Sequence, residues 1–350
     1  MTNGTGLAPN LKRRIFSPAT LISFIIAVLL IVFLLRGFDV DLEATWRQVR
    51  SADVGFYLIG FFIYYLSFPV RGYRWKLLVR NAHAEGTPRP LAGILGWSEY
   101  IFLGWYVNTL SWFHMGDAYR GYLVTRRSQV NFSKVIGTIL AERMLDTVVV
   151  AVLFGIAAFA LWSSWTSATA YLVILSGGLV VFSAVALAGM AILGKMLRER
   201  LPHTLKGVYS NFEAGTLKSF RNLPWLMAVS VFAWLLEAAR LYFMARSLGV
   251  ELSPWLVLFT ALAGSLLTTL PLTPGGVGIV ETGMAGLFML AMSQTDAVAL
   301  TILDRSVSYL TILVFGTVLF LFRQFGRKDG PRRPPEPSAQ RAAETADTDT

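Results

Sequence analysis

Long apolar runs separated by short polar stretches set the fold class of this chain. Residues 19–35, 54–70, 135–159, 171–193, 225–245 and 297–321 are predominantly apolar. Each has the roughly 17–25 residues with which a helix crosses a bilayer. The runs do not alternate apolar with polar positions, which argues against a β-barrel. Two further apolar regions, 91–112 and 254–292, carry glycines, prolines or charges that interrupt the pattern. The pattern predicts an all-α polytopic membrane protein with about six full spans plus two re-entrant or broken helical hairpins. The first run follows Lys12, Arg13 and Arg14, as in a signal peptide. Arg36-Gly-Phe-Asp rather than a small-residue cleavage pattern comes after it, so it reads as a retained helix.

Composition agrees: 55% of the 350 residues are hydrophobic and 15% are charged, which excludes an ordinary soluble domain. The net charge of +10 would suggest nucleic acid in a soluble protein. Here it reads as cytoplasmic loops, where basic residues accumulate. Basic residues cluster in the N-terminus, in 71–89, in 114–134, in 195–221 and in the tail from Arg323. All five segments share one face only if each irregular region enters and leaves by the same side. Both termini are then cytoplasmic, region 91–112 opens inward and region 254–292 opens outward. The second region is either two short crossings or a shallow hairpin. The acidic Asp39, Asp41, Glu43 and Asp53 fit the outer face. Segment 195–221 either lies along the inner membrane surface or is a solvated loop. Residues 1–16 read as a cytoplasmic N-terminus, 17–325 as one transmembrane domain and 326–350 as a disordered cytoplasmic tail. The expected home is a bacterial cell inner membrane. No cysteine is present and the three histidines are far apart, so neither a metal site nor a cofactor is expected.

The chain also echoes itself. Arg80 and Pro88 recur as Arg246 and Pro254 at one constant offset. At nearly the same offset, Thr109-Leu110 recurs as Thr269-Leu270 and Glu142-Arg143 as Asp304-Arg305. Each half, about 54–160 and 224–322, reads as a span, a link with proline, an interrupted segment, and a span carrying an acid–arginine pair. The charge-derived topology runs the halves in opposite directions. An inverted repeat with broken segments is a transporter architecture, with its site between the halves.

Pro271-Leu-Thr-Pro-Gly-Gly-Val-Gly-Ile-Val-Glu281 is the sharpest local signal. Proline removes a donor and glycine frees the backbone, so no regular helix runs through it. It is either a plain tight loop or a set of N–H groups at Gly275 and Gly276, beside a helix start that attracts anions. Glu281 either caps those donors or meets a cationic group or proton. Glu142-Arg143-x-x-Asp146 places Arg143 and Asp146 on one helix face, as a structural ion pair or as part of a polar site. A charge at the bilayer centre costs about 2.5–3.5 kcal/mol on insertion scales, so these residues should face the bundle interior. Asp304-Arg305, with Tyr309 one turn on, repeats the chemistry. Arg143 and Arg305 could converge on a phosphate. Gly116-Asp117-x-x-Arg120, after Asn108 and Thr109, is either a helix start or a polar mouth. Glu99 has no basic neighbour in sequence, which makes it suggestive. Glu237 and Arg240 read as a pair that satisfies itself.

Together, Gly116-Asp117-x-x-Arg120, Glu142-Arg143-x-x-Asp146 and Pro274-Gly275-Gly276-x-Gly278-x-x-Glu281 resemble the transmembrane region of lysylphosphatidylglycerol synthases, which also occurs in stand-alone flippase-like membrane proteins of the UPF0104 group. The resemblance spans roughly residues 15–323. It implies a helical bilayer fold that moves lipids between leaflets, with membrane lipids as ligands and a lipid-modifying synthase as a candidate partner. The aminoacyl-transfer domain of the two-domain synthases has no counterpart here, so synthase activity is not carried over. The family commonly has proline and arginine before its Gly–acid pair. This chain has Ser111-Trp-Phe-His-Met-Gly116, and His114 or Arg120 would stand in.

The expected function is a lipid translocase for a phospholipid or isoprenoid-linked headgroup. No catalytic residue is assigned, and no nucleotide-binding loop is present. The alternatives are a membrane enzyme acting on a lipid phosphate and a scaffold for a synthase. The expected substrate-binding residues are Arg143, Arg305, Gly275, Gly276, Glu281, Glu142, Asp304, Asp146, Asp117, Arg120, Asn108 and Glu99.

Overall fold

The computed structural model describes residues 41–83, 93–111, 114–128, 130–161, 167–269 and 273–325. The predicted span at 19–35, the N-terminal segment 1–16 and the tail 326–350 lie outside the described residues. Among the described residues every regular element is helical.

A short helix α1 (Leu42–Arg50) leads into α2 (Val54–Ala82), whose first turn is capped by the Asp53 carboxylate accepting from the Phe56 N–H at 3.0 Å. α2 has 29 residues, about 43 Å at 1.5 Å per residue, enough for the hydrocarbon and both interfaces. The apolar run predicted the span to end at 70. It continues instead, because Arg71 and Arg74 find carboxylates inside the bundle and need no loop. These two arginines are buried, not cytoplasmic loop charges.

Region 91–112 was expected to be irregular, and the structure corrects this. Its helix α3 (Ile94–Leu110) is regular, since glycine without proline keeps every backbone donor. The break falls just after it, where Ser111 is extended and His114 has φ 54°. Helix α4 (Met115–Ser128) then turns back against α3. That approach requires glycine: a Cβ on Gly116 would overlap the Gly104 carbonyl. Long helices α5 (Phe132–Ala160) and α6 (Ser167–Arg200) follow, then α7 (His203–Leu217), which packs along α5. Segment 195–221 is therefore mainly helical rather than a plain loop.

Among the described residues, helix α8 (Leu223–Ser247) makes its most extensive helix contact with α2. Region 254–292 is broken as its prolines and glycines predict. α9 (Pro254–Thr269) is followed by a 3₁₀ turn at Pro274–Gly276 and by α10 (Ile279–Phe288). The last rod comprises α11 (Gln294–Arg305), a π turn (Ser306–Leu310) and α12 (Thr311–Phe325). Among the described residues five helices are long and apolar enough to cross a membrane: α2, α5, the Gly177–Arg200 part of α6, α8 and Gln294–Arg323. The core joins α2, α3, α8 and the last rod through aromatic packing such as Trp75 against Trp97 (centroids 5.0 Å apart).

Candidate functional site

A cavity of about 560 Å³ lies among α2, α3, α5, α8, α9 and the last rod, a size that suits a small molecule or a headgroup. Arg143 on α5 and Arg305 on α11 both line it, together with Asn108, Asp117, Asp146, Gly275 and Asp304.

Two sets of buried ion pairs build its walls. In the first, Arg74 is fully buried. It donates to Asp146 at 2.5 and 2.8 Å, to Glu142 at 2.8 Å and to the Ser230 hydroxyl at 2.9 Å. Arg120 contacts Glu142 at 2.7 Å and Asp117 at 3.2 Å. Arg143 donates to both oxygens of Asp117, at 2.6 to 3.0 Å. In the second set, Arg240 meets Asp304 at 2.9 Å and Glu237 at 3.3 Å, and Arg71 meets Glu237 at 3.2 Å. Arg305 binds Glu281 at 2.6 Å and donates to the Gly275 carbonyl at 3.1 Å. Six arginines thus face six carboxylates, and the walls carry no net charge.

Such pairs are poor evidence for stability, because desolvating both charges offsets most of their attraction. Removing one partner is costly, since the other charge is left buried. A buried cluster of this size among helices long enough to cross a membrane is a candidate ligand site.

Asp117 lies on α4, outside the five candidate spans. Burial pushes its carboxyl up, but Arg143 and Arg120 outweigh this and hold it below the ordinary carboxylate range. Asp117 is ionised at neutral pH. His114, on the same hairpin, is pushed down by burial and by Arg143, so its imidazole is neutral there.

The predicted residues fall into three groups. Arg143, Arg305, Gly275, Asp304, Asp146, Asp117 and Asn108 stand on the cavity wall. Glu142, Arg120 and Glu281 sit behind that wall and hold the arginines and carboxylates that form it. Gly276 and Glu99 do not join the site. The Gly276 N–H is taken by the Thr273 carbonyl at 3.1 Å. Glu99 pairs with Arg323 at 2.5 Å, a partner far away in sequence. The Arg143–Asp146 face pair does not form either, because Asp117 captures Arg143 and Arg74 captures Asp146. Glu281 does cap the following helix, accepting from the Gly278 N–H at 2.6 Å. Arg71 and Arg74 are functional-site residues that look like loop charges in the sequence, because they follow an apolar run. One signal was available: the offset linking Arg80 to Arg246 also links Arg74 to Arg240 and Arg71 to Glu237.

Long apolar helices around a charge-lined cavity define a multi-pass integral membrane protein. The chain belongs to the family described as the lysylphosphatidylglycerol synthase TM region, whose sequence profile matches residues 20–316. A UPF0104 membrane protein of Methanocaldococcus jannaschii is 32% identical over 221 residues, which cover 61% of this chain and 93% of that protein. A UPF0104 membrane protein of Pyrococcus horikoshii is 26% identical, with 85% of this chain and 95% of the relative covered. The glycosyltransferase AglD of Haloferax volcanii is 25% identical over 88% of this chain and 54% of its own length. All three are archaeal and lend no support to a bacterial inner membrane.

Proposed function

We propose that the protein is a lipid translocase that carries a phosphate-bearing headgroup, from a phospholipid or an isoprenoid-linked lipid, between leaflets. The observation that carries this reading is the meeting of Arg143 and Arg305, from separate helices, on one cavity. In this reading α2–α5 and α8–α12 are oppositely oriented copies of one unit. Matched pairs support it: Arg74–Glu142 with Arg240–Asp304, and Arg143–Asp117 with Arg305–Glu281. The first span at 19–35 completes six, both termini face the cytoplasm, and α3–α4 and α9–α10 are the two hairpins.

The arriving phosphate draws Arg143 and Arg305 away from Asp117 and Glu281. Neither carboxylate is orphaned, since Asp117 keeps Arg120 and Glu281 keeps the Gly278 N–H. Rocking of one half against the other then opens the cavity to each side in turn. In liposomes carrying labelled phospholipids, the protein should accelerate leaflet exchange. An Arg143→Ala/Arg305→Ala double variant should return the rate to that of protein-free vesicles, and unchanged exchange would reject these anchors.

The likeness to a glycosyltransferase favours a second reading, an enzyme or enzyme module acting on a lipid phosphate. Product formed by the purified protein from lipid and sugar donors, without leaflet exchange, would select it. Co-purification of a lipid-modifying synthase would add the proposed partner.

A further inference from the structure

We infer that Arg71 is a further phosphate-recognising residue of the cavity, and that Glu237 is the carboxylate which a phosphate group displaces from it. This rests on the translocase reading and names a ligand contact that the Arg143 and Arg305 assignment leaves out.

The first argument is unused donor capacity. A guanidinium offers five N–H donors in a rigid fork. Arg74 donates to two carboxylates and a hydroxyl, and Arg143 and Arg305 each make short multiple contacts. Arg71 lines the same cavity with a side chain only 5% exposed. Its hydrogen bond to Glu237 runs from Nη2 to Oε1 at 3.2 Å, and its buried Nε meets no acceptor among the described residues. Arg74 and Arg240 also have an unpaired Nε, but each holds two carboxylates, whereas Arg71 holds one and keeps donors for a further anion.

The second argument is how Arg71 is held. Its guanidinium carbon lies 5.0 Å from the Trp105 ring and 4.8 Å from the Trp234 ring. Two indole faces fix the plane of the fork and keep water from it, which strengthens its attraction for an anion. Trp234 is itself anchored by its Nε1 donating to Asp146 at 3.0 Å.

Glu237 keeps a second partner when it leaves Arg71. It is shared between Arg71 and Arg240, which it contacts at 3.3 Å, and Arg240 also holds Asp304. A phosphate binding at Arg71 turns Glu237 toward Arg240, which keeps the carboxylate paired. The freed fork of Arg71 then faces the ligand, and its donors match the several oxygens of a phosphate. Arg71 and Glu237 hold corresponding places in the two proposed halves and meet where α2 packs on α8. At that position the halves differ in charge, and the difference creates a pair that a ligand can open.

The test is a calorimetric titration of the full chain in detergent micelles with three probes: dihexanoyl phosphatidic acid, dihexanoylglycerol and inorganic phosphate. The wild-type chain should bind the first and not the second. Arg71→Lys keeps the charge but loses the fork and the stacking, and should bind dihexanoyl phosphatidic acid about tenfold more weakly. Glu237→Gln removes the competing carboxylate and should bind it several-fold more tightly, a gain that misfolding cannot imitate. Both variants within about twofold of wild type would overturn the inference. If Arg143→Ala/Arg305→Ala lost binding in that case, the translocase reading would survive without Arg71. Inorganic phosphate binding alone, with the same dependence on both residues, would keep Arg71 as the anion site and reject the lipid reading. No binding of either phosphate probe by the wild type would reject both.

Discussion

Glu142 and Asp304 each directly precede an arginine and each meet a second arginine from another helix, yet the two surroundings differ. In the first set every carboxylate is held at least twice. Glu142 has Arg74 and Arg120, Asp117 has Arg120 and Arg143, and Asp146 has Arg74 and the Trp234 N–H. In the second set Asp304 depends on Arg240, with only the Ser308 hydroxyl near at 3.5 Å. The arginines that follow differ as well. The Arg143 side chain is 44% exposed, whereas that of Arg305 is 14% exposed, packed on Tyr309 and tied to the Gly275 carbonyl. Gly275, at φ 61°, allows this approach, since a Cβ there would press on the Tyr309 ring. Glu142 is thus doubly held beside an open Arg143, whereas Asp304 rests on one arginine beside a closed Arg305.

Three experiments break or sharpen that contrast. The largest effect is expected from Arg240→Ala, which leaves Asp304 buried and unpaired, at a cost of about 3–5 kcal/mol. Arg74→Ala should cost less, because Glu142 and Asp146 keep other donors. Adding Asp304→Asn to Arg240→Ala should recover most of the loss. Denaturant unfolding in micelles reads all three, and a larger loss for Arg74→Ala would invert the contrast. A smaller, kinetic effect should appear in labelling. The chain has no cysteine, so a single introduced thiol reports cleanly. Arg143→Cys should react with an aqueous maleimide several-fold faster than Arg305→Cys, and the reverse order would exchange the open and closed ends. The smallest effect belongs to Arg323→Ala. Its pair with Glu99 is partly exposed and outside the cavity, so thermal unfolding should shift by less than about 1 kcal/mol equivalent.

The legible parts share a cause. The five described spans followed from apolar length, and the break between α9 and α10 followed from Pro274, Gly275 and Gly276, because both signals act within a few residues. Arg143, Arg305 and Asp304 were readable as interior charges, since an arginine inside an apolar run has nowhere else to go. Partners were not readable. Asp117 rather than Asp146 takes Arg143, and Arg323 takes Glu99, through contacts that bring distant segments together. The π turn after Arg305 gave no local signal. Arg71 and Arg74 were misread because a basic cluster at the end of an apolar run looks like a cytoplasmic loop until its carboxylates come into view.

The amino-acid sequence by itself determined a helical membrane protein with charges turned inward, because bilayer thickness and the cost of an exposed backbone N–H act on each segment separately. Only the tertiary structure decided which arginine meets which carboxylate, which pair stays accessible, and that Arg71 stands between two tryptophans with a donor unmet. Those outcomes depend on where α2, α3, α5 and α8 come to lie against one another, and no single segment carries that information.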